Sequence, residues 1–331
     1  MHNRRVLLAS RPAGAVSERN FRIEDCAMPQ PGEGEVLVRS LWLSLDPYMR
    51  GRMNDAKSYV KGVELGDVMV GQTVGEVVAS NHADFRAGDK VLTELGWQLY
   101  GTARGKSLTP LPAGAAPLSY YLGVLGMPGI TAYFGLKEIG MPKAGDTVAV
   151  SAASGAVGSV VGQLAKIWGC RAVGIAGGAE KCDYVTRELG FDACVDYKAG
   201  GLHADLKAAC PEGVDVHFEN VGGVVLDTML RRMNRHSRIV LCGLISDYDA
   251  HEPYGYTMLR SVLVNRIKVQ GMIVFDWHAR YGEALQALSG YLQEGRLKYR
   301  ESVVQGLDNA PKGLIALLGG GNFGKQLVKL D

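Results

Sequence analysis

The chain has 331 residues, of which 47% are hydrophobic and 21% are charged, and its formal net charge is +2 at pH 7. These values predict two globular domains with ample hydrophobic cores. Because the charge is nearly balanced and no apolar run approaches the ~18 residues that span a bilayer, we expect no nucleic-acid or membrane partner, but a cytoplasmic protein that acts on a small molecule.

The six cysteines are spread along the chain without a C-x-x-C pair. Several lie inside predicted strands or helices, where cysteine is typical as a small buried hydrophobic residue. We therefore expect neither structural disulfides nor a structural zinc site, which requires four closely grouped ligands. The cysteines are Cys26, Cys170, Cys182, Cys194, Cys210 and Cys242.

The first part of the chain, residues 1–128, is predicted to be mostly β. Residues 36–45 and 69–79 are runs rich in valine and leucine, bounded by glycine, proline and aspartate turns. This pattern predicts a compact, barrel-like domain. An apolar, helix-capable segment over 122–140 then leads into a second domain, predicted over 129–299.

The second domain contains, over residues 147–168, a predicted buried strand, a turn of small residues and an amphipathic helix. The turn has the pattern A-x-G-x-x-G, which is the dinucleotide fingerprint with Ala153 in place of its first glycine. In that fingerprint Gly155 lets backbone amides approach a pyrophosphate at the helix start, and Gly158 lets the helix and the strand touch. An ordinary turn of small residues is the alternative.

Further strand-like runs follow this turn, separated by segments long enough for crossover helices. The alternation predicts a doubly wound parallel sheet of about six strands, which is an α/β dinucleotide-binding fold. The runs are 172–176, 194–196, 214–219, 238–243 and 268–274.

The end of the second strand of this sheet indicates which dinucleotide binds. NAD-binding proteins usually place Asp or Glu there to hold the adenosine ribose, whereas this chain has Gly177 and Gly178, followed by Glu180 and Lys181. No carboxylate at the strand tip repels a 2′-phosphate, and Lys181 can pair with one, so the sequence favours NADPH. The alternative is that Glu180 binds the ribose and Lys181 is a solvated surface lysine.

The last part of the chain predicts a helix over 280–294, a helix near 309–318, a glycine turn and a final strand at 326–330. The backbone N–H and C=O groups of a terminal strand are best satisfied when the strand pairs with an existing sheet. We therefore expect residues 300–331 to return to the first domain.

Four motifs, in this order, resemble the medium-chain dehydrogenase/reductase superfamily over essentially the whole chain. The closer resemblance is to its zinc-independent branch of leukotriene B4 12-hydroxydehydrogenases/prostaglandin reductases and enone, alkenal and curcumin-type reductases. It implies a GroES-like β-barrel catalytic domain followed by a Rossmann NADPH-binding domain. The motifs are LDPYMR at 45–50, AASGAVGSVVG at 152–162, ENVGG at 219–223 and CGLISDY at 242–248.

Metal-dependent members of the superfamily bind a catalytic zinc with a cysteine and a G-H-E motif. At the matching place this chain has Gln72 where the histidine would be, and it lacks a four-cysteine lobe. We therefore expect no bound metal. Alcohol oxidation is then not expected either, since no Lewis acid remains to bind and acidify the alkoxide.

A reduced nicotinamide without a metal needs a carbon that is already electrophilic, such as the β-carbon of an α,β-unsaturated ketone or aldehyde. Negative charge then develops on the carbonyl oxygen, which needs hydrogen-bond donors, and the α-carbon needs a proton. The resemblance implies that Tyr248 and Tyr48 line the substrate and meet these needs. For Tyr48, the alternative is a packing tyrosine whose hydroxyl bonds to the backbone.

The resemblance also implies a set of cofactor contacts. Tyr197 and Lys181 would hold the adenosine 2′-phosphate, and Asn220 would follow its strand at the ligand-binding edge. Asn322 would come from the tail, with a turn asparagine in the left-handed region as its alternative. The other predicted contacts are Gly155, Ala156, Val157, Gly158, Cys242, Gly243, Leu244, Ile245, Ser246, Tyr248, Met272, Ile273 and Val274.

The loop after Tyr248 departs from the family, because the relatives usually have a proline-rich loop there. Tyr254 and Tyr256 are predicted to line the substrate pocket instead. A prostaglandin-like substrate therefore cannot be inferred for this chain from the relatives. His251 in the same loop resembles an acid catalyst, although a solvated loop histidine is the more common case.

Three functions compete at this point. The first is an NADPH-dependent enone or 2-alkenal reductase, the second is a quinone reductase of the same superfamily, and the third is a non-catalytic nucleotide-binding protein. The 45–50 and 242–248 motifs argue against the second, and the retained Tyr48 and Tyr248 argue against the third. A homodimer through the edge strand near 268–274 is what the family suggests.

Overall fold

A computed structural model describes residues 2–250 and 252–330 of the chain. The chain divides into two units, each with its own core, and the tail contributes to both of them. The first unit comprises Met1–Gly123, Glu301–Asn322 and Gln326–Asp331, and the second comprises Val124–Arg300 and Phe323–Lys325.

The strands and helices of the described residues follow in chain order. The strands are β1 (His2–Leu8), β2 (Phe21–Ala27), β3 (Glu35–Ser44), β4 (Thr73–Ser80), β5 (Lys90–Thr93), β6 (Tyr100–Arg104), β7 (Thr109–Pro110), β8 (Thr147–Ser151), β9 (Arg171–Ala176), β10 (Ala193–Asp196), β11 (Val214–Glu219), β12 (Met233–Leu241), β13 (Lys268–Gly271), β14 (Glu301–Gln305) and β15 (Lys325–Lys329). The α-helices are α1 (Tyr48–Arg52), α2 (Met127–Phe134), α3 (Gly158–Ile167), α4 (Ala179–Asp183), α5 (Leu202–Ala209), α6 (Gly223–Met229), α7 (Arg260–Asn265), α8 (Tyr281–Gln293) and α9 (Ala310–Leu318).

Short 3-10 and π-helical turns complete the secondary structure. The 3-10 turns are Glu18–Asn20, Gly105–Ser107, Leu118–Leu122, Ile245–Asp247, Val274–Arg280 and Leu307–Asn309, and the π-helical turns are Gly135–Gly140 and Tyr184–Glu188. Within the described part of the chain, no helix combines the length and the apolar character that crossing a membrane would require.

The first unit is built on antiparallel strands. One sheet has the order β14-β15-β3-β4-β5-β7, with β6 also paired to β3, and β1 and β2 form a separate hairpin. The terminal strand β15 pairs with β3, and Leu327 lies opposite Ser44. Among the described residues, no strand pairing joins β14 and β7, the edge strands of the larger sheet. The expected barrel-like domain is therefore built on a sheet whose two edges are not paired with each other.

The core of the first unit lies between these strands, α1 and α9. Its centre is formed by large apolar side chains without solvent exposure, among them Leu43, Met49 and Trp97. The ring of Phe21 stacks on Trp97 with 5.4 Å between the ring centroids. Burial of such side chains stabilises the unit by about 1.5–3 kcal/mol each.

The second unit is a parallel sheet, and its strand order within the described residues is β10-β9-β8-β11-β12-β13. This is the doubly wound order of dinucleotide-binding folds, which confirms the predicted fold class. The inner strands β8, β9 and β11 are almost entirely buried, because helices cover both faces of such a sheet, whereas the edge strand β13 is largely exposed.

Helix α3 lies against β8 and β9 and uses its predicted apolar stripe to do so. Val160, Val161 and Leu164 have no solvent exposure. Gly162 faces the ring of Phe191, and a Cβ atom at Gly162 would lie 1.8 Å from the ring Cζ atom. The helix therefore approaches its neighbours more closely than any side chain at position 162 would permit.

This contact predicts opposite effects for two glycine substitutions in helices. Gly162→Ala is expected to lower the free energy of unfolding by about 1–3 kcal/mol, because the new methyl group overlaps Phe191. Gly290→Ala on α8, where a Cβ atom meets nothing within 4 Å, is expected to raise it by about 0.5–1 kcal/mol. Urea denaturation checks both, and a Gly162→Ala chain as stable as the Gly290→Ala chain would contradict the packing described here.

Candidate active site

The parallel strands of the second unit carry the predicted cofactor residues at one edge of their sheet. Because all of these strands run in the same direction, the segments that follow them emerge together. The segments contain Gly155, Ala156, Val157 and Gly158 after β8, Lys181 after β9, Tyr197 after β10, Asn220 after β11, Cys242, Gly243, Leu244, Ile245, Ser246 and Tyr248 after β12, and Met272, Ile273 and Val274 after β13.

The glycine turn after β8 is tightly closed. A Cβ atom at Gly158 would lie 2.4 Å from the carbonyl oxygen of Ala152, and one at Gly155 would lie 3.1 Å from the same atom. Ala153, which replaces the first glycine of the fingerprint, is fully buried. The methyl group of Ala153 is accommodated because it faces Gly174 on β9. A Cβ atom at position 174 would lie only 2.8 Å from that methyl carbon.

A short piece of the tail, Phe323–Lys325, lies over this turn. The N–H of Gly324 donates a hydrogen bond to the carbonyl oxygen of Ser154 at 3.0 Å. Gly324 has φ 71° and a Cβ atom there would lie 2.1 Å from the carbonyl oxygen of Arg300, so only glycine fits. Next to it, the ring of Phe323 is covered by the guanidinium of Arg300 at 3.9 Å.

Two lysines and a tyrosine gather at the tip of β9. A Cβ atom at Gly177 would lie 2.9 Å from the hydroxyl oxygen of Tyr197 and 3.0 Å from Cε of Lys198, so both side chains lie over this glycine. Lys181 is half-buried. Burial, followed by the positive charge of Lys198, lowers the pKa of Lys181.

This arrangement fits a phosphate. Two ammonium groups that repel each other are both stabilised by a dianion placed near them. The carboxylate of Asp196 binds backbone N–H groups. Its Oδ1 atom accepts hydrogen bonds from the N–H of Gly178 at 2.8 Å and from the N–H of Lys198 at 2.9 Å. Glu180 is exposed. Sequence reasoning missed Lys198, although it directly follows Tyr197.

A buried polar network lies under the sheet edge at β8 and β11. Glu219, His217 and Ser151 have no solvent exposure. The Ser151 hydroxyl donates to the Glu219 carboxylate, and Nε2 of His217 lies 2.8 Å from it. The amide nitrogen of the Asn220 side chain donates to the carbonyl oxygen of Ser151 at 2.8 Å, which fixes the predicted cofactor ligand.

Glu219 connects three loops. The Glu219 carboxylate accepts from the backbone N–H of Val221 at 2.6 Å and of Gly222 at 3.1 Å. The backbone carbonyl oxygen of Glu219 accepts hydrogen bonds from the N–H of Cys242 at 2.9 Å and of Gly243 at 3.1 Å. The loops after β8, β11 and β12 are therefore held by one glutamate.

Electrostatics keep this glutamate ionised. Burial acts to raise the pKa of Glu219, but the charge of His217 and the hydrogen bonds from His217, Ser151 and Val221 outweigh it, so the pKa is lowered from its ordinary value. Burial and the charge of Glu219 raise the pKa of the Cys242 thiol to about 12. The thiol of Cys242 therefore stays protonated at neutral pH.

Tyr248 follows a 3-10 turn, and its hydroxyl oxygen lies 3.6 Å from the position that a Cβ atom at Gly243 would occupy. The N–H of Ser246 donates to the carbonyl oxygen of Val221 at 2.9 Å. A Cβ atom at Gly223 would lie 2.9 Å from Oγ of Ser246. The loop that carries Tyr248 therefore lies directly on the ENVGG turn.

The two tyrosines predicted to line the substrate pocket, Tyr254 and Tyr256, differ in their surroundings. The hydroxyl of Tyr256 accepts from the N–H of Gly223 at 3.3 Å, and its ring packs on the core of the unit. Tyr254 contacts Tyr256 edge to face at 5.0 Å and is 36% exposed. His251 lies outside the described residues. Tyr254 is thus the freer of the two rings to meet a ligand, and both remain predicted pocket residues.

Tyr48 belongs to the first unit, where it begins α1. The Asp46 carboxylate next to it accepts from the hydroxyl of Ser44, and Arg50 donates to the carbonyl oxygen of Gly14 at 2.8 Å. Burial, followed by the negative charges of Asp46 and Glu94, raises the pKa of Tyr48 above its ordinary value of 10.0. The phenol is therefore kept as a hydrogen-bond donor.

Asn322, the remaining predicted cofactor contact, lies in the glycine-rich turn between α9 and β15 and is half-buried. It is assigned to the first unit, whereas the neighbouring Phe323 is assigned to the second. The role of Asn322 stays a prediction.

Comparison with known proteins identifies the family. Residues 4–111 match the family described as the N-terminal domain of oxidoreductase, and residues 156–290 match the one described as zinc-binding dehydrogenase. An NADPH-dependent curcumin reductase of Escherichia coli (strain K12) is 49% identical over 99% of this chain and 97% of its own length. A 2-alkenal reductase (NADP(+)-dependent) of Nicotiana tabacum is 40% identical over 99% of this chain and 98% of its own length.

The chain belongs to the enone reductase branch of the medium-chain dehydrogenase/reductase superfamily. The crystal structure of CurA from Vibrio vulnificus in complex with NADPH has 50% sequence identity to this member of the branch and a TM-score of 0.96, covering 99% of both chains. In residues 2–250 and 252–330, no three His, Cys, Asp or Glu side chains are grouped as they would be to hold a metal ion.

The buried network of this reductase-branch chain predicts a large effect of Glu219→Gln on stability. The free energy of unfolding is expected to fall by about 3 kcal/mol, because several buried donors lose the charged carboxylate that accepts their hydrogen bonds. Since the pKa of Glu219 is lowered on folding, its contribution is present above the ordinary carboxyl pKa and is lost as the pH falls toward the native value. The difference between wild type and variant should therefore shrink in acid.

Chemical denaturation at neutral and acid pH measures this difference. Glu180→Gln, at an exposed position, serves as the control and should change the free energy by no more than about 0.5 kcal/mol. Equal stabilities of Glu219→Gln and Glu180→Gln at neutral pH would refute the role given to the network.

Proposed function

We propose that this chain reduces the carbon–carbon double bond of α,β-unsaturated ketones and aldehydes with NADPH. The observation that carries the proposal is similarity over the full chain length to reductases named for curcumin and 2-alkenals that use NADPH. The chain would then be an oxidoreductase that acts on CH–CH groups. When bound, NADPH would supply a hydride from its reduced nicotinamide.

The chain's own residues provide the binding site at the phosphate end. Ala156, Val157 and Gly158 are proposed to present backbone N–H groups at the start of α3 to the pyrophosphate. Gly155, whose own N–H donates to the carbonyl oxygen of Ala152 at 2.9 Å, is proposed to allow the close approach. The 2′-phosphate is proposed to bind between Lys181, Tyr197 and Lys198, because these side chains already cluster at the tip of β9. The clustering of two cations there supports NADPH over NADH.

At the reacting end, the loop at 242–248 and the segment Met272, Ile273 and Val274 are proposed to line the nicotinamide. Asn220 is held in place by Ser151 and lies beside them at the same sheet edge. Asn322 is proposed as a further contact from the tail. These assignments are supported by the common edge from which the segments of the second unit emerge.

Tyr248 and Tyr48 are proposed to act on the substrate. Both are hydroxyl donors of the kind that stabilises negative charge developing on a carbonyl oxygen, and either can provide the proton for the α-carbon. The raised pKa of Tyr48 supports a part as hydrogen-bond donor, since the phenol holds its proton more tightly than an ordinary tyrosine does. Tyr254 and Tyr256 are proposed to shape the pocket, and no metal takes part in the proposed mechanism.

The proposal is tested by NADPH oxidation. Loss of NADPH absorbance with trans-2-alkenals and enones, well above that with simple quinones or with no substrate, is the expected result. Faster turnover of quinones would favour the quinone reductase alternative. No turnover of any of these substrates, with intact NADPH binding, would favour a non-catalytic nucleotide-binding protein.

The phosphate site predicts a selective loss of affinity. Lys181→Ala and Lys198→Ala are each expected to weaken NADPH binding by about tenfold or more, since each removes a charge-assisted contact to the 2′-phosphate. NADH binding should change little. Nucleotide fluorescence titration measures both, with Lys207→Ala on the exposed face of α5 as the control. Equal losses for the two nucleotides would refute the assignment.

The substrate site predicts that Tyr248→Phe lowers kcat by at least ~10²-fold, the usual effect of losing one acid or oxyanion donor. The affinity for NADPH should stay close to that of wild type, because only the hydroxyl is removed. Steady-state kinetics and a binding titration check the two parts, with Tyr291→Phe on α8 as the control. Unchanged turnover would exclude Tyr248 from the mechanism.

We also propose that the chain is a cytoplasmic homodimer formed through the edge of the parallel sheet. Support comes from β13, which is the edge strand, and from exposed apolar side chains on and beside it. Leu263 is 79% exposed, Leu259 60%, Val264 51% and Val269 43%. Apolar groups this exposed and this close in the chain are typical of an interface.

Leu263→Glu together with Val269→Lys is expected to convert the dimer to a monomer, because charges would replace apolar groups in the interface. Light scattering after size exclusion gives the mass. Leu65→Glu, at a position that is 57% exposed in the first unit, is the control and should remain dimeric. A monomeric wild-type chain, or a double variant that stays dimeric, would contradict this interface.

A further inference from the structure

The tail residue Phe323 reaches the helix that carries Lys181. Phe323 belongs to the second unit, although residues of the first unit separate it in the chain from Val124–Arg300. Nζ of Lys181 lies over the Phe323 ring, 6.0 Å from the ring centroid. The ring of Tyr184 meets the Phe323 ring edge to face, with 5.0 Å between the centroids. Phe323 therefore contacts two side chains of the helical segment that follows β9.

Lys181 and Tyr184 share one face of that segment. Lys181 lies on α4 and Tyr184 begins the π-helical turn that continues it, and side chains three residues apart are neighbours on a helix surface. One ring can therefore contact both. A ring in this position limits the directions in which the Lys181 side chain extends. A lysine that is already oriented loses less conformational freedom when it binds a ligand.

Arg300 holds the two rings together. Its guanidinium lies 3.9 Å from the centroid of the Phe323 ring and 5.3 Å from that of the Tyr184 ring, and both distances are within the range of cation–π attraction. The backbone carbonyl oxygen of Arg300 accepts a hydrogen bond from the N–H of Lys325 at 2.9 Å. Arg300 therefore binds this piece of the tail through its side chain and through its backbone.

The second anchor of the tail piece is the glycine turn after β8. The N–H of Gly324 donates to the carbonyl oxygen of Ser154 at 3.0 Å, and Gly324 pairs with Gly155 in an isolated parallel bridge. Gly155 belongs to the turn that is proposed to bind the pyrophosphate. Residues 323–325 thus connect this turn to the helix proposed for the 2′-phosphate, and the fixed backbone at Gly324 sets the position of the ring before it.

We propose that Phe323 is a positioning residue for recognition of the NADPH 2′-phosphate. Its ring, held by Arg300 and Tyr184, keeps the ammonium group of Lys181 in place before the nucleotide binds. The role of Phe323 rests on the proposed function, because it takes the 2′-phosphate as the ligand of Lys181. An apolar ring does not itself bind a phosphate, so its effect passes through Lys181 and changes the preference for NADPH over NADH.

Nucleotide fluorescence titration of the full chain with NADPH and with NADH measures this preference. Phe323→Leu keeps an apolar side chain but removes the ring, and it is expected to weaken NADPH binding about three- to fivefold with little change for NADH. Phe323→Tyr keeps the ring and should retain both affinities. Phe85→Leu, which removes a half-buried ring from the first unit, is the control and should bind both nucleotides as wild type does.

The Lys181→Ala background shows whether the effect passes through the lysine. In that background Phe323→Leu is expected to cause no further selective loss of NADPH affinity, because the group that the ring orients is absent. Equal losses of NADPH and NADH affinity in Phe323→Leu, which a purely structural role would give, would overturn the proposal. Unchanged affinities would also overturn it, as would the same selective loss with and without Lys181.

The same titrations distinguish the role of Phe323 from the proposed phosphate site. If Lys181→Ala loses NADPH affinity selectively and Phe323→Leu does not, the phosphate site is supported and the role of Phe323 is refuted. If Lys181→Ala binds NADPH as tightly as wild type, the phosphate site is refuted and the role of Phe323 with it. Partial unfolding of a variant changes the amplitude of the fluorescence signal but not the ratio of the two affinities, which are measured on one preparation.

Discussion

The carboxylate of Glu219 is fully buried, lies against His217 and accepts hydrogen bonds from Ser151 and from the backbone that follows it. A buried charge without such partners costs several kcal/mol. The loops after β8, β11 and β12 must therefore keep this geometry whenever the second unit is folded. Asn220 and Tyr248 are carried on these loops, so the reacting end of the proposed site is fixed by the core beneath it.

The phosphate end is organised by a different force. Lys198 lies over Gly177, and its positive charge helps to lower the pKa of Lys181. This repulsion is a small cost to the folded chain without ligand, and a bound dianion removes it.

Much of the fold could be predicted from the sequence, because buried parallel strands are continuous apolar runs and α3 carries a regular apolar stripe. Features that depend on tertiary contacts could not be predicted. Ala153 is tolerated because of Gly174, Phe323–Lys325 joins the second unit, and Tyr256 bonds to Gly223. In the site, motifs indicated Lys181 and Tyr197, but Lys198 became evident only from its position over Gly177.

The proposed reaction delivers hydride from NADPH to the β-carbon of an enone. The most direct measurement uses NADPH deuterated at both C4 positions of the nicotinamide, an enone substrate and analysis of the product by NMR. The expected product is a saturated ketone with one deuterium at the β-carbon. An unsaturated alcohol with deuterium on the former carbonyl carbon would contradict it.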